Sequence, residues 1–245
     1  MILDTSRSGE SARAEAKWTA ARAVAELKRL GEKKNVAGMA RFGIRAKKVF
    51  GVSKPKLDEL AKKMGKNHEL GMALWTTGIH DAKLLGVLIS QPEKVDAKQM
   101  DRWVGDFDNW DVCDGTCCHL FVFAAPAWKK ALEWTRRKKE FEKRAGFALA
   151  AFLAVHDKLA ADTSYKKFLK VIEREAWDDR NFVRKAVNWA LRNIGKRNLR
   201  LNRAAIASAE RIRRQNTRAA RWIAADALRE LRSEAVQKRL RRNAA

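Results

Sequence analysis

The sequence is poor in the residues that interrupt helices and in the patterns that form β-sheets. Its 245 residues include only 13 glycines and 3 prolines, and alternation of β-branched with polar residues is almost absent. Ala, Leu, Lys, Arg and Glu dominate instead, and these residues favour helices. The composition therefore predicts an all-α protein.

Cysteine is equally scarce, and its placement argues against a disulfide framework. Cys113, Cys117 and Cys118 are the 3 cysteines of the chain, and an odd number so close together fits a reducing compartment. A zinc site that used them with His119 would draw further ligands from a second segment, but there is no second cysteine pair. We predict small buried helix residues here, with no metal and no cofactor.

Long apolar runs are missing as well. No stretch approaches the roughly 18 apolar residues that a membrane-spanning helix needs. The segment from Met1 to Arg13 lacks the apolar centre of a secretory signal. We therefore expect a cytoplasmic location and no membrane partner.

Acidic residues are too few to balance the basic ones. The chain has 53 Lys and Arg against 29 Asp and Glu, which gives a net charge of +24. Such a surplus predicts a polyanionic partner, because basic side chains release condensed counterions when they neutralise phosphates. An acidic membrane surface would call for an amphipathic anchor or a lipidation motif, and neither is present. Nucleic acid is the favoured partner, whereas a scaffold for proteins would not need this charge.

Apolar periodicity divides the chain into short helices. We expect helices over 11–31, 39–44, 54–64, 68–76, 80–91, 97–105, 109–125, 127–135, 138–155, 164–176, 180–194 and 200–243, with a basic end that is frayed from about residue 233. Helix pairs repeating every 35 to 45 residues or so predict a curved α-solenoid of the HEAT or armadillo kind. We expect one domain over 1–245 with a basic concave face, and a compact helical bundle is the alternative.

One stretch combines an aromatic residue with several carboxylates. If it is helical, Trp110 and Asp114 lie on the same face, because they are four residues apart. Asp108 or Asn109 can cap such a helix, and Asp111 lies in its first turn, where the helix dipole favours an anion. Neither explanation covers Asp114. It is either solvated or paired with a cation, or it belongs to a functional site.

Tryptophan is unusually frequent, with 9 Trp against a single Tyr. Most occupy apolar helical positions and are predicted to pack in the core; these are Trp18, Trp75, Trp103, Trp128, Trp134, Trp177 and Trp222. Trp110 and Trp189 differ because charged residues accompany them, as Lys185 and Arg192 do on the face of Trp189. Two tryptophans and a carboxylate could surround a planar cation, although core packing is the alternative for each.

Five segments follow one another in the sequence and carry a resemblance. They are Met39-Ala-Arg-Phe42, Phe50-Gly-Val-Ser-Lys-Pro55 with Leu57 after it, Asn109-Trp-Asp-Val-Cys-Asp114, Lys143-Arg-Ala145 and Phe182-Val-Arg-Lys-Ala-Val-Asn-Trp-Ala-Leu-Arg192. Each alone is unspecific. Together, over about residues 20 to 230, they resemble the AlkD family of DNA alkylation-repair glycosylases, which are built from HEAT-like repeats.

The resemblance implies a monofunctional glycosylase that removes cationic N3- and N7-alkylated purines from duplex DNA in base excision repair, in the nucleoid. We expect a monomer, because a solenoid that grips a duplex buries its functional face on the DNA. It implies that Asp114 stabilises the oxocarbenium-like sugar and positions the attacking water. It further implies that Trp110 and Trp189 contact the deoxyribose and backbone at the lesion and that Arg144 contacts the DNA. No metal and no tight base-flipping pocket are expected.

The chemistry agrees with this interpretation. An alkylated purine that already carries a positive charge leaves without a general acid, so what remains is to stabilise the charge on the sugar, which an ionised carboxylate does. We expect nearby basic residues to keep Asp114 ionised.

Other candidate DNA contacts are Phe42, which stands where the family often has tyrosine, and Lys47, Lys48, Lys54 and Lys185, although a solvated face is the alternative for each lysine. A HEAT-repeat protein that binds DNA or RNA without catalysis remains the alternative function. A buried, cation-surrounded Asp114 between two tryptophans would favour the enzyme, and a solvent-exposed Asp114 on the convex side would favour the binding protein.

Overall fold

A computed structural model describes residues 17–242, and these form fourteen α-helices. They are α1 (Ala20–Leu30), α2 (Lys33–Arg41), α3 (Lys54–Met64), α4 (His68–Thr76), α5 (His80–Ile89), α6 (Ala97–Gly105), α7 (Trp110–His119), α8 (Ala127–Trp134), α9 (Glu140–His156), α10 (Asp162–Glu175), α11 (Asn181–Gly195), α12 (Leu199–Arg213), α13 (Arg218–Leu231) and α14 (Glu234–Arg242). Short 3-10 turns occupy Pro92–Lys94 and Phe121–Phe123. No strand occurs between residues 17 and 242, which confirms the all-α prediction.

Local capping chemistry explains where the best-predicted helices begin. Asp96 precedes α6 and accepts a hydrogen bond from the Gln99 amide at 2.7 Å. Asn67 does the same for α4, accepting from the Leu70 amide at 3.0 Å. Each side chain satisfies an amide that has no partner within its helix. The predicted bounds of both helices are confirmed.

Two of the predicted helices had wrong bounds. The helix predicted over 39–44 is α2, which begins six residues earlier at Lys33 and ends at Arg41, because Gly43 then takes a left-handed conformation with φ of +80°. The helix predicted to run to residue 125 ends at His119. A fully buried Leu120 follows with a non-helical backbone and leads into a 3-10 turn.

The two ends of the chain also differ from expectation. Of the helix predicted over 11–31, residues 11–16 lie outside the described part, and the helix is seen from Ala20. The stretch 200–243 divides into three helices, with a positive φ of 57° at Asn216 in the first break. Glu234–Arg242 forms the last of these helices, with Val236 and Leu240 buried, and the fraying predicted from about residue 233 stays a prediction.

The helices from α5 onwards pack in two layers. One layer consists of α5, α7, α9, α11 and α13, each of which contacts the next; we call it the continuous layer. Helices α4, α8, α10 and α12 form the second layer, each packed against a helix of the first, and α10 also contacts α12. Pairs that stack in this way build a solenoid, because each pair buries its apolar face on its neighbours. The continuous layer brings distant sequence segments side by side.

Most tryptophans predicted to be buried pack inside this arrangement. Trp75 and Trp103 stack with ring centroids 3.9 Å apart, and Trp134 is fully buried. The prediction was wrong for Trp177, which is 58% exposed, and for Trp222, which is 38% exposed. Both lie at places where basic side chains, rather than apolar ones, cover the ring. Within residues 17–242, no helix is long and apolar enough to cross a membrane.

Candidate active site

The site is organised by the start of α7. Asn109 is the N-cap, and its buried side-chain oxygen accepts hydrogen bonds from the amides of Asp111 and Val112, both at 3.0 Å. Asp108 does not cap the helix; its carboxylate accepts from the Asn109 side chain at 2.7 Å. This cap fixes the first turn of α7 and with it the position of the Trp110 side chain. The Trp110 indole Nε1 donates to the Phe42 carbonyl at 2.9 Å, which joins α7 to the end of α2.

Asp114 forms an ion pair with Arg144 through both of its oxygens. Arg144 Nε lies 2.9 Å from Oδ1, and Arg144 Nη2 lies 2.6 Å from Oδ2. The remaining Arg144 nitrogen, Nη1, donates to the Phe182 carbonyl at 2.7 Å. Arg144 is buried, whereas the Asp114 side chain keeps 18% of its surface exposed. The pair therefore joins α7, α9 and α11 and leaves an edge of the carboxylate open.

The pKa of Asp114 differs in direction from the sequence-based expectation. Burial raises it above the usual value, and the charge and hydrogen bonds of Arg144 act against this rise. Burial lowers the pKa of Arg144, but the charge and the hydrogen bonds of Asp114, with smaller contributions from Cys113 and Cys117, together outweigh it, so that the pKa is raised. The groups that lower the Asp114 pKa are therefore mainly one buried guanidinium, that of Arg144, and not several basic residues at the surface. Pairing through both oxygens is the geometry of an ionised carboxylate.

Trp189 makes its ring contact outside the ion pair, and a cage shared with Trp110 stays a prediction. It is half-buried in α11 and packs edge-on against Phe152, with ring centroids 4.8 Å apart. No ring contact joins it to Trp110 in the part of the chain that the structure describes. The aromatic ring beside the ion pair is instead Phe182, whose centroid lies 5.9 Å from the Arg144 guanidinium carbon.

The structure adds a contact that sequence reasoning missed. His80 is buried at the start of α5, and its Nε2 lies 3.0 Å from Asp111 Oδ2. The Asn109 side chain lies 3.4 Å from His80 Nδ1. No spacing in the sequence signals this contact, because 31 residues separate the two partners. It attaches the first turn of α7 to α5.

The other predicted contact residues lie on exposed surface. Phe42 is 74% exposed, and Lys47, Lys48 and Lys185 are exposed as well. Lys54 forms an ion pair with Asp58 on its own helix. The Lys48 carbonyl accepts from the His80 amide at 2.8 Å, which places the Lys47–Lys48 segment beside the start of α5. None of these five side chains contacts Asp114 or Arg144.

A cavity of about 820 Å³ opens on the α2 side of Trp110. Its wall is largely apolar and includes Met39, Phe42, Leu57, Leu84 and Trp110, with His80 among them. The ion pair of Asp114 instead faces α9 and α11. Trp110 thus borders the cavity and also begins the helix that carries Asp114.

Two of the three cysteines of α7 are buried as predicted, whereas Cys118 is half-buried. Cys113 and Cys117 are fully buried, and their Sγ atoms lie 3.7 and 3.8 Å from the carbonyls of Phe141 and Ala145. Burial raises the pKa of the Cys113 thiol well above its usual value. Within residues 17–242 no three His, Cys, Asp or Glu side chains gather as metal ligands would.

Comparisons with known proteins identify a family for the sequence and a related solved structure for the fold. A family model for "DNA alkylation repair enzyme" matches residues 23–231. A solved structure of "a new family of proteins related to the HEAT-like repeat DNA glycosylases with affinity for branched DNA structures" superimposes with a TM-score of 0.71. It covers 92% of this chain and 95% of its own, at 21% identity. That similarity confirms the HEAT-like solenoid. A search of curated proteins found no significant match.

Proposed function

The chain belongs to the DNA alkylation repair enzyme family, and on that premise we propose that it is a DNA glycosylase. The proposed reaction hydrolyses the N-glycosidic bond of cationic N3- or N7-alkylated purines in duplex DNA. The observation that supports it best is the buried ion pair of Asp114 and Arg144, whose carboxylate keeps an exposed edge. The chain is proposed to act as one HEAT-like domain and as a monomer.

The reaction needs one charge to be stabilised. The bond between C1′ and the purine nitrogen breaks, the bonding electrons neutralise the cationic base, and positive charge develops on the sugar. A carboxylate that is already oriented lowers the energy of that charge without reorganising in the transition state. Asp114 is proposed to do this and to orient the water whose oxygen bonds to C1′. The water then gives up a proton to solvent.

Arg144 has two proposed roles. Its bidentate bond to Asp114 holds the carboxylate in one orientation and favours the ionised form, against the effect of burial. Its third bond, to the Phe182 carbonyl, holds the guanidinium itself, so that the pair keeps its place when DNA arrives. We propose that Arg144 also attracts the phosphate of the lesion, as its charge allows.

The aromatic and basic residues are proposed to hold the duplex. Trp110 is fixed by its bond to the Phe42 carbonyl, so its ring is preorganised to contact the deoxyribose at the lesion. Trp189 is proposed to contact the backbone further along the continuous layer. Phe42, Lys47, Lys48, Lys54 and Lys185 are proposed backbone contacts on the concave face, and the net charge of +24 supplies the long-range attraction.

The experiment that tests the proposal is single-turnover release of 7-methylguanine from a defined duplex. Asp114→Asn keeps the shape and a hydrogen-bond acceptor for Arg144 but removes the charge. We expect the rate to fall by about 100-fold or more while duplex affinity stays the same. Asp108→Asn is the matched control, because that exposed carboxylate lies in the same segment and does not touch Arg144.

A DNA-binding protein without catalysis is the second candidate. Two observations favour it: Arg144 occupies both oxygens of Asp114, and the structural relative is described by its affinity for branched DNA. If neither native protein nor Asp114→Asn releases the base, while both bind DNA with strong salt dependence, this second function replaces the first.

A further inference from the structure

An exposed tryptophan outside the candidate active site lies in a pocket of basic side chains. Trp177, in the connection between α10 and α11, is 58% exposed. It lines a cavity of about 540 Å³ together with Arg136, Lys138, Arg174 and Arg180. We call these five residues the Trp177 pocket. A large aromatic ring that is open to solvent among cations offers a face on which a planar group can stack.

The ring is held in place from beneath. The Lys143 ammonium lies 5.1 Å from the Trp177 ring centroid, and Lys143 is itself buried between Glu175 at 2.7 Å and Asp178 at 2.8 Å. One side of the ring is thus occupied by a cation that cannot move without breaking two ion pairs. The rest of the ring surface faces solvent and is free to accept a flat ligand.

The pocket carries more positive charge than its carboxylates neutralise. Arg174 pairs with Glu175, and Arg180 pairs with Asp178, but Lys143 already uses both carboxylates. Arg136 and Lys138 are exposed, and neither forms an ion pair within residues 17–242. Several separate cations around one aromatic face match a chain of phosphates that carries planar groups.

The pocket adjoins the candidate active site. Lys143, beneath Trp177, directly precedes Arg144, which holds Asp114. Arg180 donates to the Lys138 carbonyl at 2.6 Å, and two residues later the Phe182 carbonyl accepts from Arg144. The same turns of α9 and α11 therefore support the pocket and the ion pair. A strand that left the duplex near Asp114 would meet the Trp177 pocket.

We propose that the Trp177 pocket binds an unpaired segment of DNA, with a base stacked on Trp177 and neighbouring phosphates bound by the basic residues. Bases within a duplex have their faces covered by stacking, so only an unpaired base can use the ring. An acidic peptide could match the charges, but it has no planar group for the ring. This site is independent of base excision and goes beyond the function proposed above.

The test measures fluorescence anisotropy of labelled oligothymidylate and of a duplex with a single-stranded tail, using the full chain. Trp177→Ala is expected to lower the affinity for oligothymidylate and for the tailed duplex about tenfold, as loss of one base stack does. It is expected to leave the affinity for a blunt duplex unchanged. Trp177→Phe, which keeps a ring, is expected to lose less. Equal affinity of Trp177→Ala and native protein for oligothymidylate would overturn the proposal, as would an equal loss on the blunt duplex.

Two controls separate stacking from general effects. Phe123→Ala removes another exposed ring, one that packs on His156 at the opposite end of α9, roughly 20 Å from Lys143 at 1.5 Å per residue; it should leave binding unchanged.

Arg136→Gln with Lys138→Gln should reduce the salt dependence of oligothymidylate binding by about 1.4 in slope, at about 0.7 per phosphate contact. An unchanged slope would contradict the phosphate contacts. Oligoglutamate that competes as well as oligothymidylate would instead indicate an acidic protein partner and overturn the proposal.

Discussion

At the scale of single residues, the properties of Asp114 depend on one partner. Its pKa is raised by burial, and Arg144 opposes that rise through charge and hydrogen bonds. Arg144→Gln keeps hydrogen-bond donors near the carboxylate but removes the charge. The pKa of Asp114 should therefore rise further, because only the burial effect remains at full strength.

This change is visible in the pH dependence of excision. If ionised Asp114 is required, the single-turnover rate of the native protein rises as pH passes the Asp114 pKa and then levels off. In Arg144→Gln the same rise should occur at higher pH, so that part of the lost activity returns as the pH increases. Asp114→Asn should show a low rate without this rise. An unshifted profile in Arg144→Gln would mean that Arg144 does not set the ionisation of Asp114.

A second residue-scale prediction concerns stability in acid. Burial acts to raise the pKa of Asp178, but hydrogen bonds from Arg180 and Lys143 outweigh it and lower the pKa from 3.8 to about 2. A lowered carboxyl pKa stabilises the folded state above the unfolded value, and this stabilisation is lost as the pH falls from about 4 to 2. The shift corresponds to about 2 kcal/mol.

Asp178→Asn should therefore lose about 2 kcal/mol of unfolding free energy at pH 7, and urea titrations at several pH values measure it. The difference between variant and native protein should shrink between pH 4 and pH 2. Asp179→Asn is the matched control, since the neighbouring carboxylate is more exposed and pairs with Arg184 instead. A difference that stays constant down to pH 2 would contradict the proposed linkage.

At the scale of helices, removal of an N-cap tests how much the cap at the start of α7 stabilises the fold. Asn109 accepts two amide hydrogen bonds at the start of α7 while fully buried. Asn109→Ala should cost about 1 to 2 kcal/mol of unfolding free energy, and Asn109→Asp should restore part of it. Ser53→Ala provides the comparison, because Ser53 precedes α3 without a side-chain cap bond; it should cost less than about 0.5 kcal/mol. Equal losses in urea unfolding would show that the cap bonds add nothing.

The starts of α4, α6 and α7 were predictable from the sequence, whereas those of α2 and α13 and the contacts between helices were not. Asp96 and Asn109 cap the helices that follow them, and the four-residue spacing of Trp110 and Asp114 places them on one helix. The family resemblance singled out Arg144 as a DNA contact, but its ion pair with Asp114 was not predicted. The bonds from Arg144 to Phe182 and between His80 and Asp111 depend on how helices are shifted along one another, and residues about 30 or more apart carry no local signal of that shift.

Tryptophan exposure shows the same limit. Trp177 and Trp222 follow apolar spacing, yet cations rather than apolar side chains lie over their rings. Spacing predicts which face of a helix turns inward, but Trp177 lies in the connection after α10, where helical periodicity no longer applies. Only the packing of α9 against α11 decides that Lys143, and not an apolar residue, lies beneath it.

At the scale of the whole molecule, charge should make duplex binding strongly dependent on salt. With a net charge of +24, part of this attraction is diffuse and part comes from particular phosphate contacts. Each specific contact to duplex DNA contributes about 0.9 to the slope of log affinity against log salt. Variants that remove equal charge from different surfaces can therefore separate the two contributions.

The comparison uses two pairs of exposed lysines. Lys47→Gln with Lys48→Gln alters the segment beside the start of α5, next to His80. Lys166→Gln with Lys167→Gln removes the same charge from α10, a helix of the second layer that packs against α11 and α12. We expect the first pair to lower the slope by about 1.8 and the second to leave it nearly unchanged. Equal small effects would mean that net charge alone attracts the duplex, and that the Lys47–Lys48 segment does not contact it.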